Sequence, residues 1–262
     1  MVYFIIPAYN EERNLPLLIK NTKEAMASLG RPYTITIVND GSTDGTSRIC
    51  AELAKEAPLV EVVQERNSGV DAAFRRGFDE VLRVASPSDV IVTKEADNTS
   101  DPAILVHLIE AVESGSDVAL ASCYAKDGRV ENSTVNRRFL SFCANMLLKL
   151  SFPIKGVNTY SSFYRAYNAR SIRNAFEAYE GRLLEEKGFV CMVEMVVKLS
   201  RLPLKITEVP MVLWCDRREG ASKMRRRRTI AGYLRFIASQ AVRSRARDRE
   251  VLESYRRLAA LR

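Results

Sequence analysis

The sequence lacks the features of several protein classes. Its five cysteines are scattered singly and form no Cys-x-x-Cys pair, which argues against a disulfide or zinc framework and predicts reduced thiols in a cytosolic protein. No run of about eighteen apolar residues occurs, so no membrane-spanning helix is expected. Met1 leads directly into an apolar strand without the basic start of a signal peptide, so export is not expected either.

Histidine is also scarce: the 262 residues contain one, His107. It falls within a predicted helix, where a structural role is expected, and this argues against a histidine general base. Internal repeats and low-complexity linkers are absent as well. We therefore expect residues 1–216 to pack as one unit, with a change of rhythm near residue 126 that divides it into 1–125 and 126–216.

Positive charge is concentrated at one end of the chain. The net charge is +8, yet residues 217–262 hold 15 Lys and Arg against 4 Asp and Glu, while residues 1–216 hold 25 against 28. The basic character thus belongs to the last segment, which would attract an anionic membrane or a nucleic acid. Because the segment lacks interleaved surface aromatics that stack on bases, a nucleic acid partner is not expected.

Short apolar runs alternate with helix-like stretches, which predicts an α/β fold with a mostly parallel, Rossmann-like sheet flanked by helices. The first five strands are expected at residues 2–6, 34–38, 60–65, 90–94 and 118–122. Gly30 is predicted to end the first helix, Ser42 or Thr43 to cap the second, and Ser100 to open the fourth.

The second half carries a different set of elements. We expect a helix carrying Phe139, Phe142, Met146 and Leu150, an aromatic strand at 160–167, a helix at about 189–202 and a strand at 205–214. The segment 217–262 is basic and amphipathic, and it is predicted to form two C-terminal helices. Its first helix carries Ile230, Tyr233, Leu234, Ile237 and Ala241 at helical spacing among arginines. Such a helix either lies in a membrane interface or packs on its own domain.

Two strands break abruptly into polar, turn-prone residues. Pro7 to Glu11 follows the first strand, and Asn39 to Gly45 follows the second. In open α/β sheets, ligands gather at the carboxyl ends of the strands, where free backbone N–H groups receive phosphates. Asp40 can accept hydrogen bonds from a base or a ribose there, although such turns also serve as structural caps.

The fourth predicted strand ends in two acidic residues, Glu95 and Asp97, spaced i and i+2. Near the exit of the chain from the sheet, both carboxylates can reach one divalent cation. Mg²⁺ or Mn²⁺ held by a carboxylate and phosphate oxygens neutralises a leaving diphosphate. A solvated strand end is the alternative interpretation.

The polar motifs at 7–11, 39–45 and 95–97, each at the end of a predicted strand, resemble in this order the motifs of the family 2 glycosyltransferases, which are inverting enzymes of the GT-A fold. The downstream motifs that carry the resemblance are Arg66-Asn67-x-Gly69 with Ala72, Ala73 and Gly77, Arg137-x-x-x-Ser141-x-x-x-Asn145, Ser161-Ser162-Phe163, Gly188-Phe189 with Glu194, and Arg217-x-x-Gly220-x-Ser222-Lys223. The similarity spans about residues 2–230 and is greatest to the branch of dolichyl-phosphate mannose synthases and other polyprenyl-phosphate glycosyltransferases.

The resemblance implies roles for the matching positions. Residues 1–125 would bind the nucleotide sugar, and residues 126–216 would bind the acceptor. The nucleotide pocket would be lined by Pro7, Ala8, Tyr9, Glu11, Asp40, Arg66, Gly69 and Ala96. Glu95 and Asp97 would hold Mg²⁺ or Mn²⁺. The catalytic candidates are Asp97 together with three basic residues: Arg217 and Lys223, which would close over the donor or acceptor phosphates, and Arg137, which would hold the acceptor phosphate.

The resemblance also implies a reaction. A hexose, mannose or glucose, would pass from a GDP- or UDP-linked donor to a polyprenyl or dolichyl phosphate at the cytosolic membrane face. Because a phosphate monoester is largely ionised near neutral pH, it attacks without a protein base. Peripheral attachment is expected through 217–262, with Ile230, Tyr233, Leu234 and Ile237 inserted beside the arginines at 225–228, or through a separate membrane subunit.

Two other functions stay open at this point. A transferase acting on a soluble or glycan hydroxyl would need a base, for which Glu194 is a candidate. A non-catalytic, membrane-binding scaffold on the same fold is the other alternative. The departures from the family pattern are Glu95, Thr99, Asn158 and Ser162 for Asp, Gln, Asp and Gly, Cys123 for an Arg, and Val70-Asp71 for Lys-Gly or Leu-Gly. They leave the donor side intact and alter the acceptor side.

Overall fold

The computed structural model describes residues 1–220, 223–224, 226–242 and 245–261. The strands are β1 (Val2–Ala8), β2 (Tyr33–Asn39), β3 (Leu59–Val63), β4 (Val90–Thr93), β5 (Val118–Ser122), β6 (Arg129–Glu131), β7 (Arg165–Asn168), β8 (Ile206–Pro210) and β9 (Val212–Trp214). The helices are α1 (Leu15–Leu29), α2 (Thr46–Leu53), α3 (Val70–Val84), α4 (Ile104–Glu113), α5 (Val135–Ser151), α6 (Ala169–Ala178), α7 (Cys191–Leu199), α8 (Arg226–Ala241) and α9 (Arg245–Leu261).

Seven strands form one sheet in the order β3-β2-β1-β4-β7-β5-β8, and β6 pairs with β9 in a small second sheet. All neighbours in the large sheet are parallel except β7, which runs antiparallel to β4 and β5. The mostly parallel α/β sheet predicted from the sequence is therefore confirmed. Because β1, β2 and β4 are parallel neighbours, their carboxyl ends meet at one edge of the sheet.

Helices cover both faces of the sheet and enclose two apolar layers. Side chains alternate along a strand, so Tyr3 and Ile5 of β1 enter one layer while Phe4 and Ile6 enter the other. The first layer contains residues of α3, α6, α7, α8 and α9, and the second contains residues of α1 and α4. The C-terminal helices thus belong to the same core as the sheet.

Gly30 ends α1 in the left-handed conformation, as predicted, but two other helix starts lie elsewhere. The second helix begins at Thr46 with Gly45 as its N-cap, because Ser42 and Thr43 instead hydrogen-bond to Asn10. The fourth helix begins at Ile104, with Ala103 as its N-cap. The predicted caps at Ser42 or Thr43 and at Ser100 are therefore wrong by a few residues.

Two predicted strands and one predicted helix are shorter than expected. The aromatic segment is a strand only over β7, because the Arg165 guanidinium donates hydrogen bonds to the carbonyls of Tyr160 and Ser162 and holds that stretch as a loop. The run at 205–214 divides into β8 and β9, since Pro210 lacks the N–H that would continue a ladder. The helix expected at 189–202 is a short 3-10 turn, Gly188–Val190, followed by α7.

The apolar face of α8 packs on the protein. Tyr233 is 6% exposed and Phe236 is fully buried, with its ring 5.4 Å from that of Phe152. Ile237 also packs against this core, whereas Leu234 is 52% exposed. The expectation that Tyr233 and Ile237 insert into a membrane is therefore wrong, because both side chains are used within the fold. Among the described residues, no helix combines the length and the apolar content needed to cross a bilayer.

Candidate active site

The loops that follow β1 and β2 are joined by side-chain hydrogen bonds. The Asn10 N–H donates to Ser42 Oγ at 2.9 Å, and the Thr43 N–H donates to Asn10 Oδ1 at 2.8 Å. The Glu11 N–H donates to Thr46 Oγ1 at 3.0 Å. Asn10 has a φ of 53°, a left-handed conformation that Asn tolerates better than most residues. The two motifs found in the sequence therefore form one continuous surface at the edge of the sheet.

Asp40 holds the loop that follows β3. The Ser68 N–H donates to its Oδ1 at 2.7 Å, and the Gly69 N–H donates to its Oδ2 at 2.9 Å. Burial raises the pKa of Asp40, while these two hydrogen bonds favour its ionised form. Gly41, with a φ of +67°, lies against the same loop, and an added Cβ would come within 2.5 Å of the Arg66 carbonyl carbon. Only glycine permits this approach.

The structure brings the predicted nucleotide-binding residues to this edge. Pro7, Ala8 and Tyr9 lie at the exit of β1, and the Asp40 N–H donates to the Ala8 carbonyl at 2.8 Å. Arg66 is exposed on the loop that Asp40 holds, and Ala96 is buried between the two acidic residues. Their contact with a nucleotide stays a prediction.

The two acidic residues after β4 have different surroundings. The Phe163 N–H donates to Glu95 Oε1 at 3.3 Å, while Glu95 Oε2 is shielded from solvent and has no hydrogen-bond partner among the described atoms. Asp97 is buried, and its Oδ1 accepts from the Thr99 N–H at 3.1 Å and from Thr99 Oγ1 at 2.7 Å. Loss of solvent raises the pKa of Glu95, and the positive charges of Lys94 and Arg218 oppose that shift.

A basic segment from the C-terminal side of β9 lies over these carboxylates. Arg218 forms an ion pair with Asp97 Oδ2, and Lys223 forms one with Glu11 Oε1. Between them, the Glu219 N–H donates to Asn14 Oδ1 at 3.1 Å, and Asn14 Nδ2 donates to the Glu219 carbonyl at 3.0 Å. Ser222 of the predicted motif lies outside the described residues, as does Arg225 of the arginine run.

Arg218 lies in the candidate site although the sequence motif did not predict it there. Arg217, the predicted phosphate-binding residue, is exposed, and its guanidinium carbon lies 4.4 Å from the centre of the Trp214 ring. Arg218 faces the carboxylates, where burial lowers its pKa and the charges of Glu11 and Glu95 oppose that shift. The family motif marks only the first arginine, so the pattern carried no signal for its neighbour.

Glu95 and Asp97 fit a divalent cation whose coordination a bound diphosphate would complete. Within the described part of the chain, no three His, Cys, Asp or Glu side chains gather into a group that could hold a metal ion by themselves. Mg²⁺ is commonly held by one or two carboxylates together with substrate phosphates. Two observations agree with that donor set. Glu95 Oε2 has no partner among the described atoms, and Asp97 Oδ2 already pairs with a positive group, the Arg218 guanidinium. The metal role of the pair stays a prediction.

The predicted acceptor residues lie on and beside α5. Arg137 is half-buried in the first turn of α5, where its N–H donates to the N-cap Thr134 at 3.3 Å. Ser141 accepts from the Tyr124 hydroxyl at 3.0 Å, and Asn145 accepts from the Tyr160 N–H at 3.3 Å. None of the described hydrogen bonds or ion pairs joins Arg137 to the carboxylates of the donor side.

Two buried charged residues position the loops between these halves. Arg165 is fully buried, and its guanidinium donates to the carbonyls of Ser162, Tyr160 and Met192 at 2.7, 2.9 and 2.9 Å. It therefore fixes the loop whose Phe163 contacts Glu95. The buried Glu194 accepts from the backbone N–H groups of 185 and 186 and pairs with Lys198 at 2.6 Å. These structural contacts argue against Glu194 as a general base.

The family is established by comparison with known sequences. The family described as Glycosyl transferase family 2 matches residues 3–178. A polyprenol monophosphomannose synthase of Mycolicibacterium smegmatis is 33% identical over 84% of this chain and 79% of its own length. This chain therefore belongs to glycosyl transferase family 2, as the resemblance implied, and it is a sugar-transferring enzyme.

Other relatives act on lipid phosphates, according to their names. A dolichol-phosphate mannosyltransferase of Pyrococcus furiosus is 33% identical over 90% of this chain, which spans 62% of that protein's length. An undecaprenyl-phosphate mannosyltransferase of Micrococcus luteus is 30% identical over 85% of this chain and 87% of its own length.

A solved structure confirms the GT-A type of fold. Glucosyl-3-phosphoglycerate synthase of Mycobacterium tuberculosis, crystallised with Mn²⁺, UDP and phosphoglyceric acid, superimposes with a TM-score of 0.60 at 18% identity. The match covers 95% of this chain and 78% of that one. At this identity the similarity establishes the fold alone.

Proposed function

We propose that this protein transfers a hexose, mannose or glucose, from a GDP- or UDP-linked donor to a polyprenyl phosphate, with inversion at the anomeric carbon. The observation that carries the proposal is the pairing of the basic segment with acidic residues, Arg218 with Asp97 and Lys223 with Glu11, on the edge of the sheet where β1, β2 and β4 end. The polyprenyl-phosphate transferases among its relatives support the same acceptor class.

On the donor side, the residues of this chain bind and orient the nucleotide sugar. A divalent cation held by Glu95 and Asp97 would supply charge neutralisation for the leaving diphosphate. Asp40 keeps the loop at 66–69 in place, so that Arg66 and Gly69 face the ligand without reorganisation. Lys223 would approach the phosphates as a point charge, whereas Arg217, which lies on the Trp214 ring, is turned away from the carboxylates.

On the acceptor side, the described residues favour a nucleophile that needs no base. The one histidine, His107, has an exposed side chain on α4 beside Glu110, and Glu194 is committed to backbone contacts. A phosphate monoester is already ionised near neutral pH. The protein then has only to hold it in line with the anomeric carbon, and Arg137 is suited to this task.

An exposed apolar stripe on α5 supports work at a membrane surface. Val135, Phe139, Phe142 and Leu150 recur at helical spacing and are 70%, 67%, 50% and 76% exposed, while Asn145 and Leu148 face the protein. Soluble proteins rarely leave so many large apolar groups together in water. The stripe would insert into the interface of a bilayer, in place of the α8 side chains that the fold has used.

Charge supports an anionic lipid as the partner of this surface. The α8 helix packs beside the C-terminal end of α5 and begins in the arginine run, of which Arg227 and Arg228 are exposed. Each basic residue near an anionic surface contributes about 1 kcal/mol. All five cysteines are free thiols, which fits the cytosolic face of the membrane. A membrane subunit could add to this attachment.

A matched pair of acceptors tests the proposal. The full chain is incubated with GDP-mannose or UDP-glucose, Mg²⁺ or Mn²⁺, and either a short polyprenyl phosphate or the polyprenol of the same length. We expect nucleotide release and a lipid-linked sugar with the phosphate only. Equal transfer to the alcohol or to a soluble glycan would favour the hydroxyl-transferring alternative. Donor binding without any turnover would favour the scaffold.

A further inference from the structure

Arg218 lies at the position where the donor site needs a cation. Its side chain is 22% exposed and pairs with Asp97 Oδ2, and the charges of Glu11 and Glu95 act on it as well. The guanidinium therefore contacts one carboxylate directly and is attracted by two more. Asp97 Oδ1 already accepts two hydrogen bonds from Thr99, so Oδ2 is the oxygen that the guanidinium withholds from any other cation.

The backbone holds Arg218 in this position. Glu219 and Asn14 exchange two hydrogen bonds, at 3.1 and 3.0 Å, directly after Arg218. Lys223 adds a hydrogen bond to the Asn10 carbonyl at 3.0 Å and the ion pair with Glu11. On the other side, the Trp214 N–H donates to the Thr99 carbonyl at 2.7 Å. These contacts on both sides distinguish Arg218 from an isolated surface ion pair, which would contribute little.

We propose that Arg218 is a donor-binding residue that exchanges partners. In the free protein its guanidinium neutralises Asp97. With a nucleotide diphosphate and a divalent cation in the site, the guanidinium would leave Asp97 Oδ2 to that cation and pair with the diphosphate. Guanidinium groups bind phosphate oxygens in a bidentate manner, so the second pairing replaces the first without loss of a charged hydrogen bond. The part of this inference that concerns the diphosphate rests on the proposed function.

The exchange makes two effects of Arg218 opposite in sign. Arg218 competes with a divalent cation that arrives alone, because both need Asp97 Oδ2. It assists the same cation when a diphosphate is present, because the displaced guanidinium gains a new anionic partner. A residue that merely stabilised the fold would not shift the two affinities in opposite directions.

Calorimetric titration of the full chain separates the two effects. Mn²⁺ alone is titrated first, and then GDP and UDP are titrated at saturating Mn²⁺. For Arg218→Gln, we expect Mn²⁺ alone to bind about tenfold more tightly and the better of the two nucleotides to bind about tenfold more weakly, the range expected for one charged hydrogen bond. Arg218→Lys should show the same shifts at reduced size, since a point charge replaces the fork.

The controls make the result decisive. Asp97→Asn should abolish Mn²⁺ binding. Arg83→Gln changes an exposed residue in the last turn of α3, away from the carboxyl ends of the strands, and should match the wild type in every titration. An unchanged or weaker Mn²⁺ affinity in Arg218→Gln would overturn the competition, as would a lack of Mn²⁺ binding in all variants. Unchanged nucleotide affinity would overturn the movement to the diphosphate. Because no sugar or lipid is used, failure of lipid-phosphate turnover would refute the proposed function and leave these shifts intact.

Discussion

The two sides of the candidate active site differ in how they are held. On the donor side, Asp40, Asp97 and Glu11 are buried, and each makes hydrogen bonds or an ion pair with another segment of the chain. On the acceptor side, α5 buries Asn145 and Leu148 and exposes its apolar stripe. The comparison indicates that the donor side is organised before substrate arrives, whereas the acceptor side exposes an apolar surface that a membrane would cover.

The largest expected effect tests the donor side. Asp97→Asn keeps the shape of the side chain but removes the charge that would hold a divalent cation, so kcat should fall by about 10³-fold or more. Nucleotide release with a polyprenyl phosphate acceptor measures it. Asp79→Asn, an exposed residue of α3, is the matched control and should behave as the wild type. Retained activity in Asp97→Asn would remove this carboxylate from the site.

The second prediction tests the acceptor surface. Phe139→Ser with Phe142→Ser should lower partition onto anionic vesicles by about 100-fold, because burying each ring in a bilayer interface is worth about 1.5 kcal/mol or more. Stability should change little, since both rings are exposed. Val84, the last residue of α3, is 65% exposed, and Val84→Ser should not change vesicle binding. Undiminished sedimentation of the double variant would contradict a membrane role for α5.

A third prediction compares two glycines in the left-handed conformation. Gly30→Ala meets open space and should cost about 1 kcal/mol of unfolding free energy. Gly41→Ala must also displace the loop at 66–67, so its cost should reach about 3 kcal/mol, together with weaker nucleotide binding. Urea unfolding measures both variants. Equal costs would mean that the two loops of the donor side are free to move apart.

The last prediction concerns a buried charge in the donor half. Burial lowers the pKa of Lys94 from 10.5 to about 8 in the folded protein. The unfolded chain therefore binds more protons between pH 8 and 10.5, and the contribution of Lys94 to stability rises with pH across that window. Lys94→Met should be more stable than the wild type at pH 7, by on the order of 2 kcal/mol, with a gap that closes as the pH approaches 10.5.

Chemical denaturation at pH 7, 8.5 and 10 measures that gap. The difference between variant and wild type isolates Lys94, because the other titrating groups are common to both proteins. A difference that stays constant with pH would mean that Lys94 keeps its proton in the fold. Lys205→Met, which replaces an exposed lysine that precedes β8, serves as the control without such a gap.

The donor side could be predicted because its signals are local. A strand that ends in an acidic or turn-forming motif places those residues at the sheet edge whatever the rest of the chain does, and Asp40, Glu95 and Asp97 are all found there. The choice between Arg217 and Arg218 could not be predicted in this way. Neighbouring residues of an extended segment point to opposite sides, so the orientation of the whole segment decides which one faces the carboxylates.

The sequence by itself determined the α/β order, the parallel strands and the acidic groups at their ends, because strand periodicity and turn chemistry act over a few residues. Only the tertiary structure decided that α8 buries Tyr233 and Phe236 while α5 leaves Phe139 and Phe142 in solvent. Both helices carry an apolar stripe, and a stripe specifies that one face avoids water without specifying what covers it. That depends on which surfaces of the assembled core are still free when each helix packs.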